Sequence, residues 1–140
     1  PYTVEEKEKK KEDIFVAPSG FPGIETSMPL MFTAAKENKI SIDRAVKLLS
    51  TNPSKIFGLY PKKGAICPGA DADLVLIDPD EGYTIHAGEM FTKARDVAKV
   101  FEGKRVYGKI KKTILRGKVV FDEGKILAKP GYGQWVVPVK

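Results

Sequence analysis

The first part of the chain, to about residue 61, carries hydrophobic positions at helical spacing. One stripe follows the i, i+3, i+4, i+7 pattern and consists of Ile42, Ala45, Val46 and Leu49. Ser41 can cap this helix, while Met28-Pro29 and Asn52-Pro53 can each start another, with Asn52 as N-cap. Gly58 provides a stop signal for the last helix. The pattern therefore predicts three short helices in series.

The second part, from residue 62, has the hydrophobic pattern of β structure. Residues 74–77 are continuously apolar and are followed by Asp78-Pro79, as expected of a strand that ends there and is covered on both faces. The predicted strands are 74–77, 106–116, 119–121 and 126–128. Gly117 and the Glu123-Gly124 pair separate the last three strands, which predicts a meander or hairpin arrangement. We expect two units, 1–61 and 62–140.

Length and composition limit what the chain can do alone. With 140 residues it is shorter than an independent (β/α)8 barrel, which needs roughly 200 to 250 residues, so it could form only part of one. It contains one histidine, His86, and one cysteine, Cys67. A zinc site needs three or four ligands drawn mostly from these two residue types. A metalloenzyme complete within this chain is therefore not expected.

The net charge of +6 could suggest nucleic-acid binding, but the distribution of charges disfavours it. Residues 5–13 are all charged with nearly balanced signs, as on a solvated helical face or loop. The excess positive charge lies in the last third, where it alternates with apolar residues and falls on the wet face of strands. No apolar run approaches the roughly 18 residues of a membrane helix. We expect no nucleic acid, no membrane and, with a single cysteine, a cytoplasmic location.

Individual reactive residues give little indication of catalysis. His86 and Cys67 have no partner in sequence reach, so a structural or surface histidine and a buried, inert thiol are predicted. Turn and strand-end chemistry explains the four closely spaced aspartates, which are Asp71, Asp73, Asp78 and Asp80. Ser19 does not lie in a Gly-x-Ser-x-Gly nucleophile elbow, because Ala17 stands two residues before it. No catalytic residue is predicted in the chain.

The loop at residues 17–26 is the most informative element. It reads Ala-Pro-Ser-Gly-Phe-Pro-Gly-Ile-Glu-Thr, and its prolines and glycines constrain the backbone. Such a loop can present main-chain donors and acceptors to a polar small molecule at low ordering cost. The alternative, a loop that only joins two elements, is equally compatible with these residues.

The loop also carries a resemblance to a known family. Four other stretches of the chain carry it too, and they are Pro-Tyr-Thr-Val-Glu-Glu-Lys at 1–7, Asn-Pro-Ser-Lys-Ile-Phe-Gly-Leu at 52–59, Gly-Ala-Asp-Ala-Asp-Leu-Val at 69–75 and Thr-Ile-Leu-Arg-Gly-Lys-Val-Val at 113–120. The loop and these four stretches resemble the cyclic amidohydrolases. Within them, the loop and the Glu-Glu-Lys favour the zinc-dependent dihydroorotases over hydantoinases or allantoinases. The resemblance implies an α/β fold, in which 1–61 would end a (β/α)8 barrel and 62–140 would supply the C-terminal strands of an adjoining β-sandwich.

The resemblance also implies where the chemistry lies. Pro1 matches the proline of an Asp-His-Ala-Pro-His motif, so the metal ligands and the general-base aspartate would all precede this chain. One or two zinc ions would activate a hydroxide for attack on the ring amide in the parent enzyme, and this segment alone would bind none. Ser19 and Gly20 match substrate-contacting positions, and Tyr2 stands where a histidine usually helps to hold the substrate carboxylate. Tyrosine carries no positive charge at neutral pH, so recognition would be adjusted or the substrate would be another cyclic amide.

One main hypothesis and three alternatives follow. The first is the C-terminal segment of a dihydroorotase-like enzyme of pyrimidine biosynthesis, inactive alone, whose partners are the upstream part of the same enzyme and a cyclic amide; a homodimer is left open. Its alternatives are another cyclic amidohydrolase, of hydantoinase or allantoinase type, and a noncatalytic binding or assembly module on the same scaffold. A basic nucleic-acid-binding β-domain would require salt-sensitive affinity for DNA or RNA.

Overall fold

A computed structural model describes residues 3–8, 12–13 and 15–138, and places helices before an antiparallel sheet. The helices are α1 (Val4–Glu8), α2 (Ile24–Lys36), α3 (Ile42–Val46) and α4 (Asn52–Ile56), with a π-helical turn at Lys47–Thr51. The strands are β1 (Leu74–Thr84), β2 (Arg105–Leu115), β3 (Lys118–Asp122) and β4 (Lys125–Ile126). Three 3₁₀ helices in the connection from β1 to β2 are Ala87–Glu89, Arg95–Val97 and Lys99–Phe101. Within the described ranges, no helix has the length and apolar character needed to cross a membrane.

Helix α2 begins earlier than the sequence pattern predicts. It starts at Ile24 rather than at Met28-Pro29, because the Ser27 N–H already bonds to the Gly23 carbonyl at 2.9 Å, and the hydroxyls of Thr26 and Ser27 donate to the same carbonyl, at 3.2 and 2.6 Å. Pro29 consequently lies inside the helix, where it is buried. The extra turn connects α2 directly to the loop that precedes it.

The segment from α3 to α4 is one continuous helical path. Ser41 caps α3 as predicted, since its hydroxyl accepts a hydrogen bond from the Arg44 N–H at 3.1 Å. The predicted restart at Asn52 is wrong, because the π-helical turn carries the helix through that residue, whose φ of −68° and ψ of −47° are helical. Gly58, at φ +66°, follows the end of α4 as predicted.

The sheet is a meander in the order β1-β2-β3-β4, and the turn signals predict its last two connections, from β2 to β3 and from β3 to β4. Strand β1 is longer than expected and continues through Asp78-Pro79 to Thr84. Its pairing with β2 shifts between Asp78 and Gly82, and this bulge accommodates a proline that cannot donate to the ladder. Val75 and Leu76 are 41% and 46% exposed, so the apolar run is not covered on both faces in this chain.

Helix α2 packs on strand β2 and thereby joins the two parts of the chain. The Thr33 hydroxyl donates to the Pro29 carbonyl at 2.7 Å and accepts the Tyr107 N–H at 2.8 Å. Phe32 is buried against Gly108, and Val106 beside them is fully buried. The boundary near residue 61 stays a prediction, and this contact crosses it. Because α2 follows residues 17–23 directly, the contact also fixes the position of that loop relative to the sheet.

Candidate functional site

The predicted substrate loop, 17–26, ends at residue 23 because α2 starts at Ile24, and the name substrate loop is kept here for residues 17–23. Residues 19–23 of this loop line a cavity of about 1170 Å³. The other walls come from residues 83–92 and from residues of strands β2 and β3. Its apolar lining includes Phe21, Met90, Phe91, Ile110, Val120 and Phe121. A largely apolar cleft with a few polar groups at one edge is the usual form of a small-molecule site.

The structure brings two of the three predicted substrate-contacting residues to this cavity. Ser19 and Gly20 both line it and both are exposed. Gly20 has φ +76°, with no heavy atom within 4 Å of the position that a Cβ would occupy. Glycine is therefore required there by the backbone conformation and not by crowding. Tyr2 lies outside the described residues, and contact of any of the three with substrate stays a prediction.

Lys7 holds the substrate loop from one side. Its ammonium donates hydrogen bonds to the carbonyls of Pro18, at 2.9 Å, and Gly20, at 2.5 Å. The helix that carries Lys7 begins with a capping box, in which the Thr3 hydroxyl accepts the Glu6 N–H and the Glu6 carboxylate accepts the Thr3 N–H. Sequence reasoning missed this role of Lys7, although the Thr-x-x-Glu spacing was a readable signal for the helix.

Two further contacts hold the other end of the loop. The Phe21 ring packs edge-on against Phe101, with centroids 5.6 Å apart. The Glu25 carboxylate, in the first turn of α2, accepts the backbone N–H groups of Phe91 and Thr92, at 2.9 and 2.7 Å. Neither contact could be read from the sequence, since 66 residues separate Glu25 from Phe91. The loop is thus fixed to α1 on one side and to the long β1–β2 connection on the other.

Tyr83 supplies a neutral polar group to the cavity lining. Burial, and then the negative charge of Glu25, raise the pKa of Tyr83 above its ordinary value of 10.0. The phenol therefore stays protonated at neutral pH and keeps both a hydrogen-bond donor and an acceptor.

His86 is an exposed residue, as predicted, and it pairs with Glu102. Its Nδ1 lies 3.0 Å from one carboxylate oxygen of Glu102, whose other oxygen accepts the Ala87 N–H at 2.7 Å. The Ala87 N–H, and then His86, lower the pKa of Glu102. The pair secures the start of the 86–104 connection, which is a structural role.

The structure also shows the surroundings of the cysteine and of the four closely spaced aspartates. The prediction of a buried thiol is wrong, because Cys67 is exposed in a turn beside Pro68, where no apolar side chain covers it among the described residues. Asp78 forms the predicted turn hydrogen bonds, and the other three aspartates form ion pairs with lysines, which the sequence pattern did not predict. Asp71 and Asp73 pair with Lys63, Asp78 accepts the N–H groups of Asp80 and Glu81, and Asp80 pairs with Lys36.

The part of the chain that the structure describes does not fit a metal ion. No group of three or more histidine, cysteine, aspartate or glutamate side chains within residues 3–8, 12–13 and 15–138 could hold one. What these residues can do is bind and orient a polar ligand through the substrate loop, against apolar walls.

Comparisons with known proteins give matches over most of the chain. Residues 19–120 match the sequence profile of the amidohydrolase family. The chain is 39% identical to the D-hydantoinase of Geobacillus stearothermophilus over 136 residues, which are 96% of this chain and 28% of that protein. It is 38% identical to the multifunctional protein CAD of Squalus acanthias over 134 residues, 96% of this chain and 5% of that protein.

A solved structure shows the same fold. The D-hydantoinase (dihydropyrimidinase) from Thermus sp. superposes with a TM-score of 0.85 at 34% identity, covering 96% of this chain and 29% of that one. The chain spans about 28% of the length of the D-hydantoinases that it matches in sequence.

Proposed function

The chain belongs to the amidohydrolase family, and on that premise we propose that it is the substrate-loop segment of a metal-dependent enzyme that hydrolyses a cyclic amide. The observation that carries the proposal is the substrate loop itself, held by Lys7 and Glu25 at the edge of an apolar cavity. Ser19 and Gly20 would contact the ring substrate there, and Tyr2 would join them.

The metal would be held by residues outside this chain. Members of the family are hydrolases that generally bind metal ions, commonly zinc, whereas the described residues contain no group that could hold one. We therefore assign the ligands for one or two zinc ions to the part of the enzyme that corresponds to the remaining length of the relatives. The segment would bind, orient and enclose the substrate, and would be inactive alone.

Exposed apolar side chains support a requirement for that further part. Phe15, Ile24, Ile66 and Trp135 are each at least 90% exposed. Large apolar residues in such numbers mark surfaces that pack against another protein region. The partner of the segment would thus be the metal-bearing, N-terminal part of the same enzyme, and a homodimer of the whole is compatible with it.

Hydantoin and dihydropyrimidine rings are the first substrate candidates. The relatives that support them are named D-hydantoinase and L-hydantoinase, at 35% to 39% identity over 90% or more of this chain. The solved structure that superposes on the chain is a D-hydantoinase (dihydropyrimidinase). These names favour the hydantoinase alternative over the dihydroorotase that the loop motif alone suggests.

Dihydroorotate is the second candidate, on a different observation. The Pro-x-Gly-x-x-Gly-x-Glu-Thr loop and the Glu-Glu-Lys before it resemble dihydroorotases, and the chain is 38% identical to the multifunctional protein CAD. Dihydroorotate carries a carboxylate that hydantoin and dihydrouracil lack. Activity measured on each of the three rings therefore distinguishes the two candidate substrates.

The experiment measures ring opening by the zinc-loaded protein that carries this chain together with its metal-bearing part. Hydrolysis of a 5-substituted hydantoin and of dihydrouracil supports the first candidate, and interconversion of dihydroorotate and carbamoyl-aspartate supports the second. Ser19→Ala should raise KM about threefold to tenfold if one hydrogen bond to the substrate is lost. Ser50→Ala, at an exposed position on the π-helical turn, is the matched control. Binding of these rings without hydrolysis would instead indicate a noncatalytic module, and no binding would refute the proposal.

A further inference from the structure

We infer that Lys7 is a positioning residue, which sets the orientation of the Pro18–Ser19 and Gly20–Phe21 peptide groups so that their N–H groups are available to the substrate. The inference rests on the proposed function and deepens it, because it names the residue that shapes the substrate loop. Its starting point is the pair of hydrogen bonds from the Lys7 ammonium to the carbonyls of Pro18 and Gly20.

Helix α1 fixes the position of Lys7. Helix α1 has five residues, too few to be stable as an isolated helix in water. The reciprocal hydrogen bonds between Thr3 and Glu6 satisfy its first N–H groups, and the Lys7 N–H bonds to the Thr3 carbonyl at 3.2 Å. This one turn therefore presents the Lys7 side chain in a defined direction, toward the loop eleven residues later.

An ammonium group suits this task. It offers three donors and no acceptor, so it can bind two carbonyl oxygens at once. Hydrogen bonds from a charged donor are roughly twice as strong as neutral ones. Lys7 is only partly exposed, so water competes less for these bonds than at a free surface.

The geometry of the peptide bond then fixes the opposite side of the loop. In a planar trans peptide, the carbonyl of one residue and the N–H of the next point in opposite directions. With the Pro18 and Gly20 carbonyls turned toward Lys7, the N–H groups of Ser19 and Phe21 point away from it. Gly20, at φ +76°, has the conformational freedom that this arrangement requires.

The functional consequence is that these two N–H groups are available to a ligand. Among the residues that the structure describes, neither the Ser19 N–H nor the Phe21 N–H donates to a protein acceptor. Both residues line the cavity. Two backbone N–H donors, separated by one residue and oriented by one cation that also lines the cavity, are thus available to a carbonyl or carboxylate oxygen of the ring substrate.

The test compares Lys7→Met, which keeps the length and removes the donors, with Lys7→Arg, which keeps the charge and the donors. It is done in the zinc-loaded protein that contains the metal-bearing part, with whichever ring the wild type opens. We expect Lys7→Met to raise KM about tenfold or more with less than a threefold change in kcat, since the loop binds substrate without taking part in bond breaking. Lys7→Arg should restore most of the affinity. Lys39→Met, at an exposed lysine that pairs with Glu37, should match the wild type.

A second measurement does not depend on activity. Hydrogen–deuterium exchange of the peptide that spans residues 15–23 should be faster in Lys7→Met than in the wild type, with Lys7→Arg and Lys39→Met close to the wild type. The reporters are the N–H groups of Val16 and Ala17, which bond to the Asp13 carbonyl at 3.2 and 2.9 Å. If Lys7→Met does not fold, Lys7→Arg still decides: wild-type exchange supports the inference, and exchange as fast as in an unfolded loop overturns it.

The two proposals fail in different ways. A wild type that opens no cyclic amide refutes the proposed function, and the exchange data then still decide whether Lys7 orders the loop. A wild type that is active, with an unchanged KM in Lys7→Met, overturns the positioning role alone. A variant with lower thermal stability but unchanged KM and kcat would show that Lys7 is only a structural tie, which also overturns it.

Discussion

Gly108 lies against Phe32 so closely that a Cβ on Gly108 would come within 2.6 Å of the Phe32 Cβ. The contact lies where α2 crosses β2, next to the bulge in β1. Gly108 also has φ +85°, a conformation that L side chains rarely adopt. The pair thus sets the distance between helix and sheet, and with it the position of the substrate loop that precedes α2.

Gly108→Ala is expected to destabilise the protein by about 2 to 4 kcal/mol, as the sum of an overpacked contact and the left-handed backbone. The measurement is the free energy of unfolding from urea titration. Gly124→Ala is the matched control, because Gly124 has φ +84° and no heavy atom within 4 Å of its Cβ position. The control should lose only about 1 to 2 kcal/mol, the cost of the backbone. Equal losses in the two variants would show that contact with Phe32 carries no cost.

Glu25→Gln is expected to loosen the segment at residues 91–92. The carboxylate accepts two backbone N–H groups there, and a neutral amide can accept from only one oxygen and without charge assistance. We expect a loss of about 1 to 2 kcal/mol in unfolding free energy. Glu89→Gln, at an exposed position of a 3₁₀ helix in the same connection, serves as the control. Equal stability of Glu25→Gln and wild type would contradict a structural role for this carboxylate.

Local signals were enough to predict the hairpin connections of β2, β3 and β4 and the cap at Ser41, because turn glycines and capping residues act within a few positions of the chain. They failed at Pro29 and Asn52, where hydrogen bonds from Thr26 and Ser27, and a π-helical turn, override the usual helix boundaries. They also failed at Pro79, since only the pairing of β1 with β2 shows that a bulge admits the proline.

In the candidate site too, the sequence predicted local features but not contacts between distant elements. The loop with Ser19 and Gly20 stood out because prolines and glycines constrain a backbone wherever they occur. The contacts of Lys7 and Glu25 did not, because each joins elements that are far apart in the chain or depends on how a short helix is oriented. The loop motif and the named relatives favour different rings as the proposed substrate.

Zinc binding by the chain alone is expected to be absent. The described residues offer no group of ligands, and the sequence has a single histidine and a single cysteine. The purified 140-residue chain, equilibrated with zinc and then dialysed, should retain far less than one equivalent by elemental analysis. The protein with its metal-bearing part, treated in parallel, should retain one or two equivalents. Stoichiometric zinc on the short chain would contradict the placement of every ligand outside it.

Asp73 should make stability depend on acid pH. Burial alone would raise its pKa, but the hydrogen bond from Lys63, and then the N–H of Arg116 at 2.7 Å, outweigh burial and lower the pKa from its ordinary 3.8. A lowered carboxyl pKa contributes stability that is complete above the unfolded pKa and is lost as pH falls through the folded one. The contribution should therefore be present at pH 5 to 7 and fade below about pH 4.

Asp73→Asn tests this directly. At pH 7 it should be about 1 to 2 kcal/mol less stable than the wild type in urea, and the difference should shrink at pH 3 and below, where the wild-type carboxyl is itself becoming neutral. Asp96→Asn, at an exposed position, should track the wild type at every pH. A difference between Asp73→Asn and wild type that stays constant from pH 7 to pH 2.5 would mean that the loss arises from packing and not from the charge held between Lys63 and Arg116.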